Sequence, residues 1–194
     1  MGWVFNDIAG IPRSSIEGVD RVIAGINREF AKMQNGTMAG LIKVAALVRN
    51  ETEHGAVKTP VDYGNLRASW TVITASSAII SGGGRAHSPT GSFGNFTGPR
   101  GSQLAAEHAQ ALTQQRQRAL LLASTTKSPF LIMGYSANYA TYVHENLGVV
   151  GYKTKDHPRG WSRKGSGPKW FEAALRKHTG SIRDIMVKNI KMVK

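Results

Sequence analysis

The chain has 194 residues, 41% hydrophobic and 19% charged, which suits one globular domain able to bury roughly 70% of its unfolded surface. It holds no cysteine, which excludes disulfides, thiolate zinc sites and thiol nucleophiles, and no apolar run near the roughly 20 residues that span a bilayer. Its 25 Lys and Arg against 12 Asp and Glu leave a net charge of +13, and residues 153–194 carry twelve basic residues against only Asp156, Glu172 and Asp184, so an anionic partner is expected.

The first residues, Met1 to Asn6, lack the basic and apolar regions of a secretory signal, and Asn6 stands where myristoylation wants Ser or Thr. Neither secretion nor a lipid anchor is expected, and a reducing cytoplasm suits the lack of cysteine. Ile16, Val19, Val22, Ile23, Ile26, Phe30 and Met33 form the stripe of an amphipathic helix. Asn35-Gly36 reads as its stop, and Met38, Leu41, Ile42, Ala45, Val48 and Thr52 as a second helix capped by Thr37 and ended by Gly55, so a helical hairpin is predicted. The β-branched run from Trp70 to Ile80 predicts one strand, weakened at Ala75-Ser76-Ser77-Ala78.

Residues 81–102 hold seven glycines with Pro89 and Pro99 and no apolar period, and read as a mobile loop. Phe93 and Phe96 are its aromatic anchors, able to order against a neighbouring subunit. Gln103 to Arg118 suits a helix with a thin apolar stripe, Leu104, Ala105, His108, Ala111 and Leu112. Ala119 to Ala123 is too short to separate a helix end from a strand by period; paired with Phe130 to Tyr135 across Thr125-Thr126-Lys127-Ser128-Pro129, it reads as a β-hairpin. Asn138 is placed to cap a short helix to about Leu147, and Pro168 to lie in the first turn of a last helix through Ile190 that Gly180 interrupts. Helices around a small antiparallel sheet, without regular β-α-β alternation, make the predicted fold α+β: one domain over 1–194, with loop insertions at 81–102 and 148–167.

Two blocks stand out. In the first, Thr59, Pro60, Asp62, Gly64, Leu66 and Ser69 follow the pattern Thr-Pro-x-Asp-x-Gly-x-Leu-x-x-Ser, with Arg67 and Trp70 inside and after it. Pro60 fixes an extended approach, Asp62 can accept backbone N–H bonds at a helix start, Gly64 allows close chain passage and Leu66 faces inward. In the second, Tyr139, Ala140, Tyr142, His144 and Glu145 are followed downstream by Gly167, Lys169, Trp170, Phe171 and Glu172. Together these blocks resemble the neck, or tail-completion, family of long-tailed double-stranded DNA phages, with Trp170 and Phe171 in place of the family's usual Phe and Leu. They cover about a quarter of the chain, in the family's order, while the 81–102 insertion and the long 148–166 connection depart from it. The resemblance implies a structural protein of the head–tail connector. It would form a homo-oligomeric ring between head-completion or connector proteins and the tail terminator or tail tube, would be assembled in the bacterial cytoplasm and would reside in the virion.

No enzymatic, cofactor or membrane role is expected. His144 and Glu145 are adjacent, so on a helix they point about 100° apart rather than toward one ion, and His-Glu-x-x-His is absent. Gly82-Gly83-Gly84 lacks the Lys and Ser or Thr of a phosphate loop, and no Gly-x-Ser-x-Gly elbow occurs. The basic connection interleaves Lys153, Lys155, Arg159, Arg163, Lys164 and Lys169 with Tyr152, Trp161 and Trp170, a composition for steering and anchoring an acidic ring surface or, alternatively, packaged DNA. A basic nucleic-acid-binding protein unrelated to virions is the second reading.

Overall fold

Apolar residues at three- and four-residue spacing run on to Val48 with no proline among them, and the chain follows them as one 36-residue helix, α1 (Val19–His54). The computed structural model describes residues 19–60, 65–74, 79–81, 98–126, 128–149, 151, 160, 161 and 163–191. The predicted hairpin at Asn35-Gly36 does not form. Gly36 and Gly40, one turn apart, are both buried, and a Cβ on Gly40 would stand 2.9 Å from Met186 Sδ and 3.4 Å from Asn189 Cβ. Gly40 therefore serves close packing by another helix. Thr37, predicted to cap a new helix, instead donates to the Met33 carbonyl at 2.8 Å, a bond of the helix interior. Gly55 does end α1: its N–H reaches Glu51 O at 2.7 Å, and a Cβ there would come within 2.5 Å of that carbonyl oxygen.

After the one-turn helix α2 (Asn65–Ala68), β1 (Trp70–Thr74) pairs antiparallel with β2 (Ile79–Ser81), Ile73 opposite Ile79. The single strand predicted over 70–80 is thus two, reversed across the Ala/Ser segment of low strand propensity. Of the predicted loop at 81–102, residues 98–102 are helical and 82–97, with Phe93 and Phe96, lie outside the described residues. α3 (Gly98–Thr125) runs without Gly or Pro from Ser102 onward, so Ala119 to Ala123 continues the helix and the predicted hairpin with 130–135 does not form. β3 (Leu131–Tyr135) pairs with β1 instead, Trp70 opposite Tyr135, giving the antiparallel order β2-β1-β3.

α4 (Ala140–Glu145) begins after Tyr139, with no side-chain cap. Asn138, predicted as that cap, donates to Glu107 Oε2 at 3.4 Å. Pro168 precedes α5 (Trp170–Lys177) rather than lying within it, and the break before α6 (Thr179–Lys191) falls at His178, not Gly180. The result is an α+β fold. Its main core joins Val44, Ala45 and Val48 of α1 to Trp70 and Val72 of β1 and Ala174 of α5, with Phe171, Leu175, Ile182, Ile185 and Met186 around them. β1 is buried along its whole length, and α3 also packs against it. No helix among the described residues is long and apolar enough to cross a membrane.

Candidate functional site

The segment leaving α1 is fixed by hydroxyls. Thr59, fully buried, takes the Thr52 carbonyl with its N–H at 2.7 Å, and its Oγ1 lies 3.1 Å from that oxygen and 2.7 Å from Tyr135 Oη. Tyr135 donates to Thr52 Oγ1 at 2.9 Å, and Thr52 Oγ1 donates to Arg49 O at 2.9 Å, so α1, β3 and the Thr59 segment share one hydroxyl chain. Burial pushes the Tyr135 phenol above its ordinary pKa, which keeps it a donor. Lys58 and Ser166 form a parallel β-bridge, with Lys58 N–H on Gly165 O at 2.8 Å, so the end of the long connection is held beside this segment. Pro60 is buried; Asp62 and Gly64 lie outside the described residues.

Leu66 of α2 then packs with Ala140 of α4 and Trp170 of α5 in a second cluster. Ser69 Oγ donates to Leu66 O at 2.7 Å, and Ser69 O accepts from Ser136 N at 2.8 Å and Ser136 Oγ at 3.1 Å. Trp170 is 1% exposed and meets Tyr135 edge to face at 5.9 Å and the His144 ring at 4.8 Å. Leu66 and Trp170, more than a hundred residues apart in the sequence, thus meet at one indole.

Around that buried centre lies a charged rim. His144 and Glu145, which sequence spacing kept apart, touch at the last turn of α4: His144 Nδ1 donates to Glu145 Oε1 at 2.8 Å. Lys169 closes the junction, donating its N–H to His144 O at 2.8 Å and pairing its Nζ with Glu145, with Glu172 at 3.7 Å. Hydrogen bonds from Lys169 and His144 lower the Glu145 pKa, and the bond to Glu145 raises that of Lys169. Lys169 does this from a left-handed backbone, φ 58°, where residues with a Cβ are strained. Glu172 also pairs with Arg176 at 2.6 Å, Phe171 is half-buried against Trp70, and Tyr139 and Tyr142 face solvent, Tyr142 at 74% exposure.

The predicted partner contacts divide. Lys153, Lys155 and Arg159 lie outside the described residues, and Lys164 is exposed. Trp161 and Arg163 turn inward: Trp161 is buried, with Nε1 on Val149 O at 3.0 Å, and Arg163 donates to Glu53 O and stands 3.6 Å from its carboxylate. An aromatic in a basic loop was read as a partner anchor, but its indole N–H finds a backbone acceptor within the same connection.

Sequence reasoning missed Glu53. It is buried, and three guanidiniums from three segments converge on it: Arg49 at 3.5 Å, Arg67 in close contact and Arg163. Arg49 also lies 5.4 Å over the Trp70 ring, and burial lowers its pKa while Glu53 opposes that shift. The four-residue spacing of Arg49 and Glu53 was legible; the distant arginines were not. Equally unforeseen, buried His108 of α3 bonds Ser136 through Nδ1, tying α3 to the end of β3. Among the described residues, no group of three His, Asp or Glu side chains is placed to hold a metal. The arrangement is a pinned junction that presents tyrosines and paired charges outward. No family model, curated protein or solved structure matches the chain.

Proposed function

We propose that the chain is a neck or tail-completion subunit of a long-tailed double-stranded DNA phage, acting by assembly into a homo-oligomeric ring between the head connector and the tail. One observation carries the reading. The residues of the resemblance, which together span more than half the sequence, converge as Thr59, Leu66, Ser69, Ala140 and Trp170 in one buried junction rimmed by Tyr142, Glu145, Lys169 and Glu172. Such a junction is a rigid frame for display, and the charged rim residues Glu145, Lys169 and Glu172 are engaged with one another. The partners are copies of the same chain, the head-completion proteins on one side and the tail terminator or tube on the other, and the place of residence is the virion.

The test is genetic and visual. Particles assembled without this chain are expected to appear by negative-stain microscopy as filled heads and free tails, or as tails with defective ends. Normally joined, infectious particles would end the proposal. Binding to nucleic acid as a free monomer is the competing reading, favoured by the exposed Arg116, Arg118, Arg183, Lys188 and Lys191 on α3 and α6. It requires tight DNA binding whose affinity falls steeply with salt.

A further inference from the structure

Glu53 faces more positive charge than it can balance. Arg49 of α1, Arg67 of α2 and Arg163 near the end of the long connection all approach its carboxylate, so three positive charges meet one negative and two are left over. Among the described residues no second carboxylate pairs with these arginines, and Glu51, two residues earlier, is taken by Lys177 and His178. The excess sits where water screens it poorly. Glu53 is 4% exposed, and burial lowers the Arg49 pKa, with Glu53 and Tyr135 opposing that shift and the nearby Arg67 charge adding to it. Unbalanced buried charge is costly, so a fold that gathers guanidiniums in this way gains from a second anion.

Hydrogen bonding leaves the same gap. Arg49 and Arg67 turn Nε to the carboxylate, and Arg163 spends Nη2 on the Glu53 carbonyl oxygen. Arg49 Nη1 and Arg163 Nη1 are buried and donate to no acceptor, and Glu53 Oε1 is buried and accepts no hydrogen bond. These atoms do not satisfy one another: Arg49 Nε stands 3.5 Å from Oε1 without bonding it, and Arg163 Nη1 stands 3.6 Å from Oε2. Buried polar atoms are nearly always hydrogen-bonded, so two spare donors and one spare acceptor around a single carboxyl group describe what fits there. It must bring negative charge, oxygens for guanidinium forks and an O–H for the carboxylate. Chloride, carboxylate and sulfate lack the O–H, and so does a nucleic-acid phosphodiester, which also carries a single charge. Monohydrogen phosphate has two negative charges, three bare oxygens and one hydroxyl.

We propose that Arg49, Arg67, Arg163 and Glu53 form a binding site for free monohydrogen phosphate, the arginines holding its bare oxygens and Glu53 accepting a hydrogen bond from its hydroxyl. Arg67, with 40% of its side chain exposed, stands at the solvent edge where the ion enters. The site does not depend on the ring reading, and the bound ion would tie α1, α2 and the long connection together.

The test is calorimetric titration of inorganic phosphate into the full-length chain, in chloride buffer at a pH where the ion is a dianion. One phosphate per chain is expected, with sulfate roughly tenfold or more weaker, the worth of one hydrogen bond to a charged group. Arg67→Gln should weaken phosphate by a similar factor, whereas Glu53→Gln, whose amide can donate to sulfate, should erase the preference between the two ions. Lys188→Gln/Lys191→Gln, on the exposed face of α6, should leave both affinities unchanged. If circular dichroism shows that Arg67→Gln does not fold, Arg67→Lys, which keeps the charge without the fork, is expected to show the same loss. Absence of saturable binding overturns the site, as do equal affinities for phosphate and sulfate or phosphate binding that neither Arg67 variant weakens. Phosphate binding that appears only in Asp62→Asn would make the chain's own carboxylate the second anion and overturn it too.

Discussion

Glu53 is 4% exposed and answers three guanidiniums at once. Removing its charge leaves Arg49, Arg67 and Arg163 facing one another, and breaking a fully buried ion pair costs about 3–5 kcal/mol. Solvent reaches these arginines in part, at 21, 40 and 25% of their side chains. Glu53→Gln should therefore cost less, about 2–3 kcal/mol, and lower the melting temperature by roughly 5–10 °C. A change below about 0.5 kcal/mol in chemical denaturation would mean the cluster is not what joins its three segments.

Glu51 works differently. Lys177 first, then His178, hydrogen-bond its carboxylate and lower its pKa from 4.5 to about 2. A carboxyl depressed by folding contributes stability that is full above its unfolded pKa and disappears as pH falls through the folded one. The stability gap between wild type and Glu51→Gln should accordingly be constant above pH 4.5 and close between there and pH 2. A gap that does not narrow over that window would dissociate Glu51 from the joint between α5 and α6. Lys169 offers a third test, of backbone rather than charge. With φ at 58°, a Cβ costs on the order of 1 kcal/mol that glycine avoids. Lys169→Gly and Lys169→Ala lose the same ion pairs, so the glycine variant should melt higher than the alanine one; the reverse order would contradict the strained geometry.

At the next level, helices were found more readily than their ends. The apolar period of α1 was legible from Val19 to Val48, yet Asn35-Gly36 read as a stop because glycine disfavours helix by about 1 kcal/mol. What the period cannot show is a second helix close enough to need no side chain at Gly40. The same limit explains α3, where three leucines suggested a strand because no local rule tells an exposed helical leucine from a buried strand one. β3 was legible as a strand after the Pro129 turn, and α4 as a short helix, although it was read from an Asn138 cap that does not form. The close approach of α1 and α6 makes a size-graded prediction. Gly40→Ala gains helix propensity and pushes only the flexible Met186 sulfur, so stability should change by less than about 1 kcal/mol. Gly40→Leu cannot be absorbed that way and should cost about 1–3 kcal/mol. Equal tolerance of both would place α6 farther from α1 than it is here.

Across the molecule, the two blocks that carry the resemblance were legible as blocks, and their meeting at Trp170 was not, because the long connection that separates Glu145 from Trp170 within the second block carries no periodic signal. The basic residues of that connection show the consequence. Read as a charge run, Lys153, Lys155, Arg159, Arg163 and Lys164 are one group; in the fold Arg163 belongs to Glu53 and so to stability. Neutralising all five would confuse a folding defect with a lost interface. The informative variant is Lys153→Gln/Lys155→Gln/Arg159→Gln/Lys164→Gln, which leaves Arg163 in place. If these charges steer the subunit toward an acidic ring surface, the variant should melt within about 2 °C of wild type, as surface changes do, while joining of heads to tails slows most at low ionic strength. If they contact DNA instead, the free chain's affinity for duplex should weaken uniformly across sequences and its salt slope fall by roughly 0.9 per lost phosphate contact. Wild-type melting with unchanged joining and an unchanged slope would leave the connection only a solvated loop and take the anionic partner away from this part of the chain.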